Sequence, residues 1–451
     1  MSYVSRNIDA VLDEWVTSPD RRPLVLRGAR QTGKTAAARR LGTTFDLFVE
    51  LNLDRLTDRR LVAECRTAAD LLDAVRVRAN VERLPPSTLI FLDEIQALPA
   101  AGGLLRYLYE DHPTVAVIVA GSLLDMRLRD AGFEFPVGRV TFRYVRPFTV
   151  LESFRATDLG VLATMIEDSC RAFQPLPAAV HGQALVGLET YLRVGGMPRA
   201  VVSGDFATAA QVQSDLMQAY AEDILRFPGV RDQDTVQQTF AALPQHYGLR
   251  FKYERVLRGT RGDAVRRAMA RFESAMLVRI ALPTAETAYP LHARSMAAPK
   301  LLPLDVGLAL ASIDVPPTSL RSENIDSVLD GRVAEMLVGQ QILGSRRKHD
   351  DPLHFWTREG SEAELDFLVS GPSGLTPLEV KSSASGTLRS LHQFMLHSRR
   401  PWGVCSSSAN IGVEQHEVSV DGRELPYTLF RLPLYASELA ESLEFPVERA
   451  G

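Results

Sequence analysis

The stretch Leu24-Val25-Leu26-Arg27-Gly28-Ala29-Arg30-Gln31-Thr32-Gly33-Lys34-Thr35 constrains this chain more than any other. Its apolar start predicts a buried strand, two glycines bracket a loop, and Ala36-Ala37-Ala38 predicts a helix after it. A strand that turns through a loop into a helix belongs to an α/β layer. The spacing G-x-x-x-x-G-K-[ST] is that of a Walker A phosphate loop. Gly28 and Gly33 let the backbone turn tightly, so that N–H groups across Ala29, Arg30, Gln31 and Thr32 converge on an anion. Lys34 adds positive charge at the phosphates, the Thr35 hydroxyl is a ligand for Mg²⁺, and the following helix points its positive end at the same place. Residues 28 to 35 are therefore expected to bind ATP.

A second stretch agrees. Thr88-Leu89-Ile90-Phe91-Leu92-Asp93-Glu94 is an apolar strand ending in two acids, the Walker B pattern. Asp93 is expected to hold Mg²⁺, directly or through water, and Glu94 to orient and deprotonate the attacking water. Strands are predicted at 24–27, 45–51, 88–92, 115–120 and 139–144, with helices between them and a short helix, Ile8 to Val16, in front. The ligand belongs at the carboxyl ends of those strands. The strand at 115–120 ends in Gly121-Ser122. Ser122 either senses the γ-phosphate or the attacking water, as AAA+ sensor 1 residues do, or is an ordinary strand-to-loop serine. Arg139 either reaches a phosphate, in its own subunit or a neighbour's, or pairs with a surface carboxylate.

The remaining length decides how much else must be present. A chain of 451 residues exceeds one ordinary core, and two or three domains are expected. Cys65, Cys170 and Cys405 have no metal or disulfide spacing, and the nine histidines are scattered, which argues against a zinc site and for a reducing cytoplasm. No apolar run has signal-peptide or membrane-span character, so no membrane partner is expected.

Residues 151 to 228 read as a helical lid and connectors, broken at Gln174-Pro175-Leu176-Pro177 and Gly195-Gly196-Met197-Pro198. Residues 229 to 318 change character. Helical patterns at Asp234 to His246, Lys252 to Leu257 and Asp263 to Val278 resemble a helix-turn-helix, with Arg279 to Leu302 as a wing. From Arg250 to Arg279 there are nine basic residues and three acids, a window of +6 in a chain of −4, which leaves −10 elsewhere. Such a window suits DNA phosphates, and equally a solvated helix face or a domain interface.

Residues 319 to 451 form the last expected domain. A helix from Asn324 to Leu343 carries Glu335. A strand holding Asp366 and a strand holding Glu379-x-Lys381 follow, linked by Gly371-Pro372-Ser373-Gly374. Glu379 and Lys381 are two apart and share a face of their strand. If the two strands pair, Asp366 comes alongside. Asp366, Glu379 and Glu335 would then hold Mg²⁺ or Mn²⁺ for phosphodiester cleavage, with Lys381 positioning water or offsetting charge. The bland alternative is a hairpin with solvent-facing charges.

Together these residues resemble the bacterial and archaeal predicted AAA+ ATPases that carry a winged helix and a C-terminal PD-(D/E)XK restriction-endonuclease-like domain. The similarity runs along Gly28-Ala29-Arg30-Gln31 before Gly33-Lys34-Thr35, Leu92-Asp93-Glu94-Ile95-Gln96, Gly138-Arg139, Pro147-Phe148, Gly195-Gly196-Met197-Pro198, Ala221-Glu222-Asp223-Ile224, Pro299-Lys300-Leu301, Asp305-Val306-Gly307-Leu308, and Glu364-Leu365-Asp366-Phe367 with Leu378-Glu379-Val380-Lys381. One departure is local. The family usually has tyrosine then phenylalanine before the aspartate that matches Asp305, whereas this chain has Leu301-Leu302-Pro303-Leu304. The resemblance implies an α/β chain: an ATPase core at 1–150, the lid, a winged-helix domain and a nuclease-like domain. The expected activity is ATP hydrolysis coupled to metal-dependent cleavage of DNA, in a homo-oligomer. The alternatives are an ATP-switched regulatory or interaction module with an inactive nuclease-like domain, and a stress or defence toxin.

Overall fold

Strand β1 (Leu24–Arg27) lies inside a sheet whose order is β2 (Leu47–Asn52), β3 (Thr88–Asp93), β4 (Ala116–Ala120), β1, β5 (Thr141–Tyr144). The computed structural model describes residues 3–121, 135–136, 138–225, 232–313, 331–346, 351–358, 360, 363–384, 386–420 and 423–445. Every neighbouring pair in this sheet is parallel. Alternate residues of each strand point to opposite faces. Val25, Leu51, Ile90, Leu92, Val117 and Val119 pack on one side, with Leu71 and Val75 of the helix Ala68–Ala79 and Leu105 and Leu108 of the helix Leu104–Asp111. Leu24, Leu26, Leu89, Phe91 and Ile118 pack on the other, with Leu12 and Trp15 of the helix Asn7–Thr17 and Ala37, Ala38 and Leu41 of the helix Lys34–Gly42. Both faces are covered, which is why β1, β3 and β4 appear in the sequence as unbroken apolar runs. The loop after Arg27 opens beside the carboxyl ends of β4 and, one strand further, β3.

The helices Val150–Ala156, Gly160–Ala172, Ala178–Val194 and Phe206–Leu225 follow. They do not stand apart as a separate layer. Phe154, Tyr191 and Leu216 belong to one apolar core with Met269, Leu301, Met336, Leu337 and Phe367, far along the chain.

The segment expected as a winged helix contains the helices Gln233–Ala242 and Gly262–Ser274, and its middle helix is a single turn, Tyr253–Val256. Its two strands, β6 (Val278–Thr284) and β7 (Lys300–Pro303), pair antiparallel and then continue into the C-terminal sheet, because β6 also pairs with β8 (His354–Thr357). The full order is β12-β13-β11-β10-β9-β8-β6-β7. The other strands are β9 (Glu364–Gly371), β10 (Gly374–Val380), β11 (Trp402–Ser407), β12 (Gly412–Val420) and β13 (Arg423–Pro433). Residues 229–318 and 319–451 thus share one sheet. Pro303 is the last residue of the edge strand, a position where a missing N–H is tolerated. The helix expected from Asn324 is described from Gly331 to Ser345, and its earlier residues lie outside the described part. β8 and β9 are antiparallel, as are β9 and β10. The helix Arg389–Ser398 crosses from β10 to a parallel β11.

Two motifs far apart in sequence meet in the interior. Asp305, fully buried, accepts hydrogen bonds from the N–H of Gly196 (2.6 Å), the N–H of Leu308 (2.9 Å) and Nε2 of Gln340 (3.0 Å). It thereby caps the helix Val306–Ser312 and joins it to the Gly195-Gly196 break and to the helix Gly331–Ser345. Removing the carboxylate leaves the buried N–H groups of Gly196 and Leu308 without their acceptor and takes from Gln340 Nε2 one of its two. Asp305→Ala should therefore destabilise the protein by roughly 3–5 kcal/mol, read as a lowered midpoint of urea unfolding.

Candidate functional site

The phosphate loop joins β1 to the helix Lys34–Gly42. Gly33 is its N-cap at φ +98°, a left-handed conformation that suits glycine. Gly28 passes so close to β5 that an added Cβ would lie 2.3 Å from the Val145 carbonyl oxygen. The Lys34 ammonium, buried, donates to the carbonyl oxygens of Gly28 and Ala29, each at 2.9 Å. Thr35 Oγ1 donates to Asp93 Oδ2 at 2.9 Å, so the hydroxyl and the carboxylate expected to share Mg²⁺ already touch. Burial raises Asp93 to about 6, with the Thr35 hydrogen bond opposing it. Burial lowers Lys34 to about 8, against the pull of Glu94 and Asp93. Glu94 follows at φ +54°, held by a hydrogen bond from Gln96 to its carboxylate. A non-glycine residue in that region is strained, and such strain is common where a side chain must be aimed.

Three contacts that no local motif announces hold this loop. Arg6, buried, donates through Nη1 to the Thr32 carbonyl at 2.6 Å and through Nη2 to the Arg146 carbonyl at 2.6 Å. Tyr220 donates its hydroxyl proton to the Arg30 carbonyl at 2.9 Å, and Asp223 pairs with the Arg30 guanidinium at 3.3 Å. Ala29 and Thr32 are fully buried, and Thr32 Oγ1 bonds the Ala29 carbonyl at 3.0 Å. Gln31 takes φ +64°. Ser122 lies outside the described residues. Arg139 precedes β5, whose Thr141 pairs with Leu24, so it sits at the amino end of β1, opposite the loop that follows Arg27. Its Nε bonds Glu110 Oε1 at 2.7 Å. Reach to the phosphates of its own loop is thus excluded by position, and pairing with a surface carboxylate is what the structure contains.

A second cluster lies where β9, β10, β7 and the helix Gly331–Ser345 meet. Asp366 and Glu379 are both buried. Asp366 Oδ2 accepts the Val380 N–H at 2.7 Å, and Glu379 Oε1 accepts from Lys381 Nζ at 2.6 Å. Glu379 Oε2 is buried without a hydrogen-bond partner. Burial first, then the nearby Asp366 charge, pushes both Glu335 and Glu379 upward, while Lys300 and Lys381 respectively oppose this. Among the described residues, the acids whose oxygens gather within 4.8 Å of one another are Glu335, Glu364 and Asp366. Glu379 stands beside that triad rather than in it. Glu364 shares a face of β9 with Asp366, a period-two relation that the sequence displayed without marking its use. Lys300, from β7, reaches into the triad: its Nζ lies 2.5 Å from Glu335 Oε2, 2.8 Å from Glu364 Oε1 and 3.8 Å from Asp366 Oδ1.

The basic window divides. Arg250 pairs with Glu364 at 3.2 Å and Arg279 with Glu273 at 3.6 Å. Lys252, Arg255, Arg258, Arg261, Arg266 and Arg267 are exposed.

Residues 20–154 match the family profile described as an AAA domain. This part of the chain is an AAA-type P-loop domain. Residues 186–319 match a domain of unknown function (DUF8612), and residues 330–421 match another (DUF4143). No curated protein matches the chain. Among solved structures, the Walker-type ATPase paby2304 of Pyrococcus abyssi is similar at 17% identity and a TM-score of 0.42, over 68% of this chain and 94% of that one. The Aeropyrum pernix ORC1 protein in complex with DNA is similar at 14% identity and a TM-score of 0.26, over 69% and 91%. The Thermotoga maritima RuvB Holliday junction branch migration motor is similar at 14% and 0.26, over 65% and 93%. None of these TM-scores reaches 0.5. No helix among the described residues is long and apolar enough to cross a membrane.

The AAA domain's lysine carries a measurable signature. With Lys34 held at about 8 by burial, its proton is partly lost above that pH, whereas a phosphate bound beside it would restore it. Nucleotide binding at pH 8.5 should take up a proton, and affinity should fall by up to about tenfold per pH unit above 8. Below pH 7 this group contributes no pH dependence. Calorimetry in two buffers of different ionisation enthalpy measures the uptake, which Lys34→Met should abolish.

Proposed function

We propose that the protein binds and hydrolyses ATP and acts on DNA, and that its C-terminal part is built on a nuclease-like plan. The observation that carries the ATPase reading is the 2.9 Å contact between Thr35 Oγ1 and Asp93 Oδ2 beside the Lys34 ammonium. The residues suit Mg·ATP. The N–H groups of residues 28 to 35 would hold the phosphates, with Lys34 leaving the Gly28 and Ala29 carbonyls to join them. Thr35 and Asp93 would hold Mg²⁺, which supplies charge neutralisation on the phosphates when bound. Glu94 orients water and takes its proton. Arg139, remote from its own loop, serves a neighbouring copy in a homo-oligomer.

The order helix, β8, β9, β10, helix, β11 supports the nuclease-like reading, with Asp366 on the second strand and Glu379-x-Lys381 at the end of the third. On this reading Asp366, with Glu379 or with Glu335 and Glu364, holds Mg²⁺ or Mn²⁺, and Lys381 offsets charge on the phosphodiester. A second reading, an ATP-switched module with an inert nuclease-like domain, is favoured by Lys300, which already supplies positive charge to the acids.

Two assays on one set of variants separate these. Glu94→Gln should keep ATP affinity and lose about 100-fold or more in turnover, while Arg139→Ala should slow turnover without weakening binding. Asp366→Ala should leave ATP turnover near wild type and abolish Mn²⁺-dependent cleavage of single-stranded, duplex or branched DNA. Unchanged turnover in Glu94→Gln would remove the assigned base. Wild-type protein that cleaves none of the substrates would favour the inert domain.

The exposed arginines support DNA as partner. Reversing the charge of Arg258, Arg261, Arg266 and Arg267 together should weaken DNA binding for all sequences and flatten its salt dependence. Fluorescence anisotropy across a salt series reads this out, and an unaltered slope would assign the patch to a protein interface.

A further inference from the structure

Lys300 is a buried lysine at the centre of an acid cluster, and it reaches that place from the opposite side of the site. The acids come from the helix Gly331–Ser345 and from β9, whereas Lys300 comes from β7, the edge strand contributed by the preceding segment. Its side chain is 2% exposed, and its ammonium also faces the rings of Phe355 and Phe367, at 5.1 and 5.8 Å. Three carboxylate oxygens within 4.8 Å of one another can surround a divalent cation bound by oxygen ligands. The ammonium, 2.5 Å from Glu335 and 2.8 Å from Glu364, takes that position. An ion of charge +2 and an ammonium repel strongly in a site this dry, so the two are mutually exclusive.

The surrounding charge is nearly balanced without a metal. Four carboxylates, Glu335, Glu364, Asp366 and Glu379, face Lys300, Lys381 and Arg250. Arg250 forms an isolated antiparallel bridge with Lys300, so one segment supplies two of the three cations. Glu379 Oε2, on a side chain 2% exposed, is left without a partner.

We propose that Lys300 is the built-in cation of this cluster, and that a divalent metal enters among Glu335, Glu364 and Asp366 only when Lys300 leaves. This rests on the nuclease-like reading of the acids. In the position described here the Lys300 ammonium stands where the metal would be held, and the side chain must swing out before the acids can take an ion.

The test is Mn²⁺ binding to the full chain without nucleotide, followed by the paramagnetic resonance signal of free Mn²⁺. Wild type, Lys300→Met, Asp366→Asn and the double variant are compared. Any binding that survives Asp366→Asn belongs to Thr35 and Asp93 and is subtracted. Wild type should show no tight Asp366-dependent binding, whereas Lys300→Met should gain a site about tenfold tighter or more, lost again in the double variant. Wild type that binds as tightly as Lys300→Met, in an Asp366-dependent way, would overturn the role of Lys300 and leave the acid site standing. A folded Lys300→Met that binds no Mn²⁺ would overturn both. Removing one partner of a buried ion pair can unfold a protein. Lys300→Gln, which is one atom shorter but keeps a hydrogen-bond donor while removing the charge, is therefore the companion variant, and the wild-type titration tests the exclusion without any substitution at Lys300.

Discussion

The helix Gly331–Ser345 is buried along most of its length, so its polar side chains must find partners inside the protein. Gln341 Oε1 accepts the Val150 N–H at 2.7 Å, and Gln340 Oε1 accepts the Val306 N–H at 2.7 Å. Both amide nitrogens donate to the Tyr191 hydroxyl, which donates in turn to the Phe148 carbonyl at 2.5 Å. Phe148 and Val150 lie near the end of the AAA domain, Tyr191 in the helix Ala178–Val194, and Val306 just after β7. One buried network therefore fixes three parts of the chain against a helix that also carries Glu335 toward the acid cluster. Apolar packing alone is tolerant of small shifts, whereas a fully satisfied buried network allows one arrangement.

The same requirement shapes the nucleotide site. A phosphate loop must present its N–H groups inward, which turns several of its carbonyls toward the protein. Arg6 and Tyr220 satisfy two of them from outside the AAA sheet, and Lys34 covers two more. The loop is thus shaped before any phosphate arrives, and the electrostatic work left to a ligand is to draw Lys34 away from its carbonyls. Because Tyr220 and Asp223 sit on the helix Phe206–Leu225, the loop and that helix are held together through Arg30.

At the acid cluster, charge balance rather than packing is the controlling term. Carboxylates brought together in a dry site need cations, whether from metal or from side chains. Lys300 arrives from a segment that the sequence presented as a basic, wing-bearing unit, and the sheet carries it inward, while the exposed Arg250 of the same segment pairs with Glu364 at the rim. Lys252, Arg255, Arg258, Arg261, Arg266 and Arg267 stay exposed on and around the helix Gly262–Ser274. One stretch of chain therefore supplies both an outward cationic face and the inward counter-charges of the acids.

The five parallel strands, the phosphate loop and the Thr35–Asp93 pair were legible in the sequence because each depends on local spacing: apolar runs covered on both faces, glycines at fixed intervals, a hydroxyl at the start of the helix after the loop and an acid at a strand end. The pairing of the Asp366 strand with the Glu379 strand was legible for the same reason, since a short turn joins them. Other features depend on contacts between residues distant in sequence, or on the partner each charge happens to find. The position of Arg139 at the far end of β1 followed from parallel register, which the sequence does not display. The clamp of Arg6 on Thr32 had no local pattern. Lys300 stood in plain view within Pro299-Lys300-Leu301, yet only the joining of β6 to β8 carried it among Glu335, Glu364 and Asp366. Sequence spacing determines which chemistry each segment can offer, and the tertiary structure decides which charges meet, because buried charges select their neighbours through folds that bring distant strands side by side.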